Sequence, residues 1–217
     1  MKGLLVKDLL LIKERKNTIL LGIIVVGATG FMMESGFMSS FLPLFSAILL
    51  LTTLSFDELD NGMAFLMTMP IRRKDYAVEK YVLGVIMGVA SLVLSVVLEV
   101  AIGTFNGNGV NVSELVTNLL TGTLIFTLIL MVMLPLDMKL GVEKGRMAMF
   151  IIYGAAFGIV MLVTKTADKS ALDIDAIATK ITYANPFLII GAVLAFVVIA
   201  LLVSMFISIN VMNKKEY

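Results

Sequence analysis

The sequence predicts an all-α, polytopic membrane protein with six transmembrane helices and both termini in the cytoplasm. Three observations predict it. Long uncharged apolar runs recur six times along the 217 residues. Only 15% of residues are charged, against roughly 25% in soluble domains, and mean hydropathy is +1.03. Basic residues also gather on the side to which an even number of spans assigns both chain ends.

Residues 1–16 carry Lys2, Lys7, Lys13, Arg15 and Lys16 among leucines. Leu5, Leu9, Ile12 and Lys16 share a helical face, which predicts a short helix lying in the membrane interface ahead of the first span. The segment is not a cleavable signal peptide, because its apolar region starts late and no small-residue cleavage site follows.

The uncharged runs then set the spans: Asn17–Met33 (17 residues), Ser35–Phe56 (22), Tyr81–Leu98 (18), Leu115–Leu136 (22), Met147–Thr164 (18) and Ile181–Asn213 (33). About 20 apolar residues cross a bilayer core, so each qualifies, the first and fifth narrowly. Barrel strands would be shorter and would alternate in polarity. Glu34–Gly36 is expected as a tight hairpin. Pro43 and Pro186 stand near the starts of the second and sixth spans, where proline is tolerated. Pro135 is expected to end or kink the fourth span as the chain emerges at Asp137.

In this topology Lys2, Lys7, Lys13, Arg15, Lys16, Arg72, Arg73, Lys74, Lys80, Lys139, Lys144, Arg146, Lys214 and Lys215 share one side, 14 of 17 basic residues. Lys165, Lys169 and Lys180 take the other. Positive residues favour the cytoplasmic face, which therefore receives the loops at 57–75 and 137–146. The Glu34 hairpin, the Asn106–Glu114 loop and the Ala167–Ala178 loop lie opposite.

Little in the chain reads as catalytic. Without cysteine there is no disulfide or thiolate metal site, and without histidine the usual near-neutral general base is missing. No phosphate-binding G-x-x-x-x-G-K-[ST] loop occurs, and Gly107-Asn108-Gly109 lacks the lysine. Neither paired span-centre aspartates nor a Ser–His arrangement is present. Glu99, set in the third apolar run, reads either as a relay group or as a carboxylate paired near the end of its span. Gly84/Gly88 and Gly154/Gly158 are four apart, a spacing that serves either internal helix packing or a seam between subunits.

The loop from Phe56 to Lys80 is different. It opens acidic (Asp57, Glu58, Asp60), closes basic (Arg72, Arg73, Lys74, Lys80), and carries an apolar stripe, Leu59, Met63, Leu66 and Met67, before Pro70. A solvated loop has no use for such a stripe, which must rest on lipid, on the bundle or in a groove of another protein. The second loop shares the mixed charge, with Lys139, Glu143, Lys144 and Arg146.

Lys7-Asp8-Leu9, Glu58, Phe65-Leu66-Met67-Thr68-Met69-Pro70-Ile71-Arg72-Arg73, Tyr76 and Glu79-Lys80-Tyr81 together resemble the ABC-2 type transporter permease family. Leu134-Pro135-Leu136 and Lys139-Leu140-Gly141-Val142-Glu143-Lys144-Gly145-Arg146 resemble its second cytoplasmic signature. In particular the chain resembles the compact six-span permeases of Gram-positive bacteria, which include exporters of phenol-soluble-modulin-type peptides. The resemblance implies an ABC-2 exporter-like fold, with one transmembrane permease domain over residues 1–217 in a multi-pass cell-membrane protein. Two permease subunits, identical or related, would pair around a path, above separate ABC ATPase subunits that hold ATP and Mg. This chain would carry no cofactor and no enzymatic site, and would have no nucleic-acid partner. A coupling helix would fall on 57–68, using Asp57, Glu58, Leu59, Met63, Leu66 and Met67, with Arg72, Arg73 and Lys80 as basic anchors. The region 106–115 would be a re-entrant hairpin or a plain loop. The 16 methionines suit either a path for variable apolar cargo or ordinary core filling. Rival readings are an ATPase-coupled immunity or assembly factor, an energy-independent scaffold or sensor, and a membrane enzyme.

Overall fold

A backbone crossing lipid must satisfy its own polar groups, and long apolar runs do so as helices. The computed structural model describes residues 2–32, 37–59, 62–105, 111–166 and 186–215, and there every element is α-helical. In chain order these are α1 Lys2–Glu14, α2 Lys16–Met32, α3 Phe37–Glu58, α4 Gly62–Thr68, α5 Arg73–Phe105, α6 Val112–Leu140, α7 Val142–Thr166 and α8 Pro186–Lys214. Among the described residues four helices are long and apolar enough to cross a membrane: α3, α5, α6 and α8 from Phe187. α2 is a shorter apolar helix. The Glu34 hairpin, most of the 106–115 region and the Ala167–Ala178 loop lie outside the described residues.

α3, α5, α6 and α8 pack around a shared core that includes Leu50, Leu54, Leu83, Leu130, Leu134 and Met212. Gly84 and Gly88 face this core: a methyl at Gly84 would meet Leu130 at 3.0 Å, and one at Gly88 would meet the Phe126 ring at 2.7 Å. Their spacing therefore serves internal packing. At Gly154 and Gly158 no atom of the described residues lies within 4 Å of an added methyl.

Both internal prolines lie inside helices, and here the structure corrects the sequence reading. Pro135 does not end α6, which continues to Leu140. Proline removes the hydrogen bond to the carbonyl four residues back, here Met131. Ser204 of α8 donates to that carbonyl at 2.9 Å, and the Tyr81 hydroxyl of α5 bonds Ser204 and Ser208 at 2.6 and 2.8 Å. An inter-helix bond replaces the lost one. Pro43 is the seventh residue of α3 rather than its opener. The carbonyl of Ser39, four residues back, abuts Gly122 of α6, where any side chain would collide with it. Pro186 does open its helix.

At the same end of α3 as Pro43, the Ser39 hydroxyl donates to Glu99, so the Glu99 carboxylate has a partner near the end of its helix. Asn111 caps α6, its side chain accepting from the Ser113 amide at 3.2 Å.

Candidate functional site

The apolar run of α3 ends at Phe56, and the two carboxylates that follow meet different partners. Asp57 turns inward and is 5% exposed. One of its oxygens accepts from the Lys7 ammonium of α1; the other accepts from the Tyr76 hydroxyl of α5 and lies 2.9 Å from the Lys80 ammonium. Lys80 also pairs with Asp8 of α1 and donates to Thr53 of α3 at 3.0 Å. Lys7 Nζ is 2.9 Å from Asp8. Two cations and two anions thus bind α1, α3 and α5 into one corner, with Asp8 and Lys80 fully buried. Burying charge is costly unless the charges are paired and hydrogen-bonded, as they are here. Burial works against the charged form of Lys7, but the hydrogen bond and charge of Asp57, joined by Asp8, outweigh it and raise the pKa above the usual 10.5. Glu79 is fully buried beside this group, and neither of its carboxylate oxygens has a hydrogen-bond partner.

Glu58, the last residue of α3, turns toward the second loop. Its carboxylate accepts from the Val142 amide at 2.6 Å. Val142 is the first residue of α7, where backbone amides lack helical partners and the helix dipole favours an anion. α6 and α7 are separated by Gly141 alone, at φ 83°, whose amide donates to Asp137 O at 2.9 Å. That backbone conformation favours glycine. Gly145 is needed for a second reason, since any side chain there would run into the Asp137 carboxylate. Arg146 closes the junction by donating to Ser55 of α3 at 2.8 Å. The end of α8 reaches the same region. Lys215 donates to Met138 O at 3.0 Å, and Arg73 donates to Lys215 O at 2.6 Å, satisfying carbonyls at two helix C-termini.

The expected helix over 57–68 is divided: Asp57 and Glu58 complete α3, and α4 occupies Gly62–Thr68. Its apolar stripe is divided as well. Met63 and Leu66 are buried in the bundle core, and Met67 packs against it. Leu59 is 57% exposed, and Phe65, which lay outside the predicted stripe, is 64% exposed. Of the expected anchors, Arg72 is exposed and Arg73 holds the end of α8. Lys80 is not at the surface, because Asp8 and Asp57 both reach it from neighbouring helices. Lys139, Glu143 and Lys144 are exposed. On α1 the buried residues are Leu4 and Asp8; Leu5 and Ile12 pack against the core, while Leu9 is exposed.

Charge counting predicted that Lys7, Asp8, Asp57 and Lys80 share one side of the membrane, but not that they touch. The signal available was the coincidence of Lys7-Asp8, Tyr76 and Glu79-Lys80 within the resembling motifs. Among the described residues no group of three or more carboxylates is arranged to hold a metal ion.

No curated protein and no solved structure matches the chain. Residues 3–213 match the family described as ABC-2 family transporter protein. Members of this family are membrane permeases that typically lack the ATPase domain and work with ABC ATPase subunits. With four apolar helices long enough to span a bilayer and a match over nearly its whole length, the chain belongs to the ABC-2 transporter family, as a multi-pass membrane component of an ABC transporter.

Proposed function

We propose that this chain is the permease subunit of an ATP-driven exporter, and that a separate ATPase engages the exposed side chains of Leu59 and Phe65. In this reading six helices span the membrane, α2 and α7 joining the four long ones, and both termini face the cytoplasm. The observation that carries it is the charged corner at the end of α3. Buried ion pairs fix the end of α3 to α1 and α5, and Glu58 ties it to the start of α7. A push on α4 would therefore reach several helices as one unit, which conformational coupling requires. Exposed apolar residues beside basic loops also favour a soluble protein partner.

A second permease subunit would cover α7. From Met147 to Phe157 that helix exposes Phe150, Ile151, Tyr153 and Phe157, and Gly154 and Gly158 leave room for a close backbone approach. The cargo is an amphipathic peptide or another apolar molecule. The family resemblance supports this class, and the apolar spans supply no charged ring that would select a cation or an anion.

The test is to solubilise the protein mildly from its native membrane and assay whatever co-purifies for ATPase activity. An ATPase should accompany the wild type and be lost from the Leu59→Asp/Phe65→Asp variant, whose exposed positions leave the core intact. Glu58→Lys should keep the protein in the membrane while uncoupling ATP hydrolysis from transport. A partnerless wild type, or normal coupling in Glu58→Lys, would overturn the assignment.

A further inference from the structure

We infer that the groove between α5 and α8 binds an anionic phospholipid, with one acyl chain in the groove and the headgroup at the basic end of the bundle. The groove has a volume of about 270 Å³ and is lined by Val82, Val85 and Ile86 of α5 and by Leu201, Leu202 and Met205 of α8. Its floor also includes Tyr81, whose hydroxyl is turned away to bond Ser204 and Ser208, so no polar atom lines the space. A site with only apolar walls selects a hydrocarbon chain and rejects a polar head.

The charge at its mouth chooses the lipid. On α5, Lys74, Val78, Val82 and Val85 follow helical spacing along one stripe, so the exposed Lys74 stands at the end of the stripe that lines the groove. Eight residues separate Lys74 from Val82, about 12 Å along the axis, the scale that separates a headgroup from the upper acyl chain. Arg72 precedes the helix and is exposed, and Lys214 ends α8 at the same level, where Arg73 binds the carbonyl of Lys215. Asp75, the acid nearest in sequence, is half-buried. Two copies meeting through this groove would bring their lysines together, whereas an anionic headgroup neutralises them. Each basic residue near the surface enriches anionic lipid roughly fivefold. The inference rests on the membrane-spanning reading of α5 and α8; the proposed ATPase coupling does not enter it.

The chain has no tryptophan, so a single one can report on the groove. Leu202→Trp puts it on the groove's exposed wall. Leu128→Trp is the control on another lipid-facing surface, at similar depth because Leu130 packs on Gly84. Each variant is reconstituted in phosphatidylcholine vesicles containing a minor fraction of brominated phosphatidylglycerol. The expected result is quenching at Leu202→Trp several-fold above that at Leu128→Trp, falling to the control level when Lys74→Glu and Lys214→Glu are added. Equal quenching at the two positions would overturn the inference, as would excess quenching that survives both charge reversals. Shielding of Leu202→Trp alone from brominated phosphatidylglycerol and from brominated phosphatidylcholine would mean that a second copy of the chain covers the groove. If both tryptophans escape both lipids, the membrane-spanning reading itself fails.

Discussion

The α3–α4 corner and the α6–α7 corner share mixed charge and a basic exit in the sequence, yet they are built by different physics. The first is held by charges far apart in the chain. Lys7 and Asp57 are 50 residues apart, and Asp8 and Lys80 are 72. The second is shaped by local backbone geometry, Gly141 at positive φ and Gly145 against Asp137, and its long-range ties are single hydrogen bonds such as Arg146 to Ser55 rather than ion pairs. Long-range ion pairs fasten separate helices to one another, whereas a glycine break only sets the angle between consecutive ones. Glu58 joins the two corners by accepting from the Val142 amide, beside the bond from Arg146 to Ser55. The first corner should therefore fail globally when broken, and the second locally.

The largest expected effect is at Lys80. Lys80→Ala leaves Asp8 and Asp57 with only the part-exposed Lys7 as a shared cation and removes the fully buried one, which should cost about 3–5 kcal/mol of stability. Thermal unfolding of the detergent-solubilised protein, followed by circular dichroism, measures it. Replacing the pair together, Lys80→Met with Asp8→Leu, should recover much of the loss, because an apolar pair carries no uncompensated charge. A Lys80→Ala protein that unfolds with the wild type would remove the ion cluster as the fastening of the first corner.

Next comes the bridge. Glu58→Ala deprives the Val142 amide of a charged acceptor and should cost about 1.5–3 kcal/mol. Gly141→Ala, which forces a side chain into a conformation suited to glycine, should cost about 1–2 kcal/mol. Because both act on the same junction, their combined effect should depart from the sum. Glu58→Ala and Leu128→Ala, on a different face of the bundle, should add. Additivity in the first pair would show that the corners are not joined through Glu58.

Much of the fold was legible because lipid imposes a simple rule: charge gaps mark spans. That rule delimited α3, α6 and α8 to within five residues and α5 to within eight, and the apolar runs make up most of each of these helices. It also misread Lys80. A lysine just outside an apolar run is ordinarily solvated, and only its position in three dimensions shows two aspartates waiting for it. The expectation that Pro135 could end its span failed for the same reason. Proline breaks a helix unless something accepts the task of bonding the freed carbonyl, and that group is Ser204, 73 residues from Met131. The two Gly-x-x-x-Gly pairs make the point most directly. Gly84/Gly88 meets Leu130 and Phe126, while Gly154/Gly158 meets none of the described residues within 4 Å. The spacing is identical; the surroundings decide its use. In the candidate site, the apolar stripe was found but not its sidedness, since a seven-residue helix can turn either Leu66 or Phe65 toward the bundle.

The smallest effect sharpens the comparison within the first corner. Lys7 also pairs with Asp57 and Asp8, yet its side chain is 30% exposed, whereas that of Lys80 is fully buried. Water screens such a pair, so Lys7→Met should cost no more than about 1 kcal/mol. Its pH dependence has a definite sign. Folding raises the pKa of Lys7 above 10.5, so its contribution is fully present below that value and is lost as pH rises through the folded-state pKa. The difference in unfolding midpoint between wild type and Lys7→Met should therefore stay constant from neutral to mildly alkaline pH and shrink only beyond it. A difference that fades near neutrality would mean that a carboxylate, not the lysine, controls the corner. A loss as large as that of Lys80→Ala would mean that Lys7 is as desolvated as its partner, erasing the distinction between a latch at the surface of the corner and the ion pair at its centre.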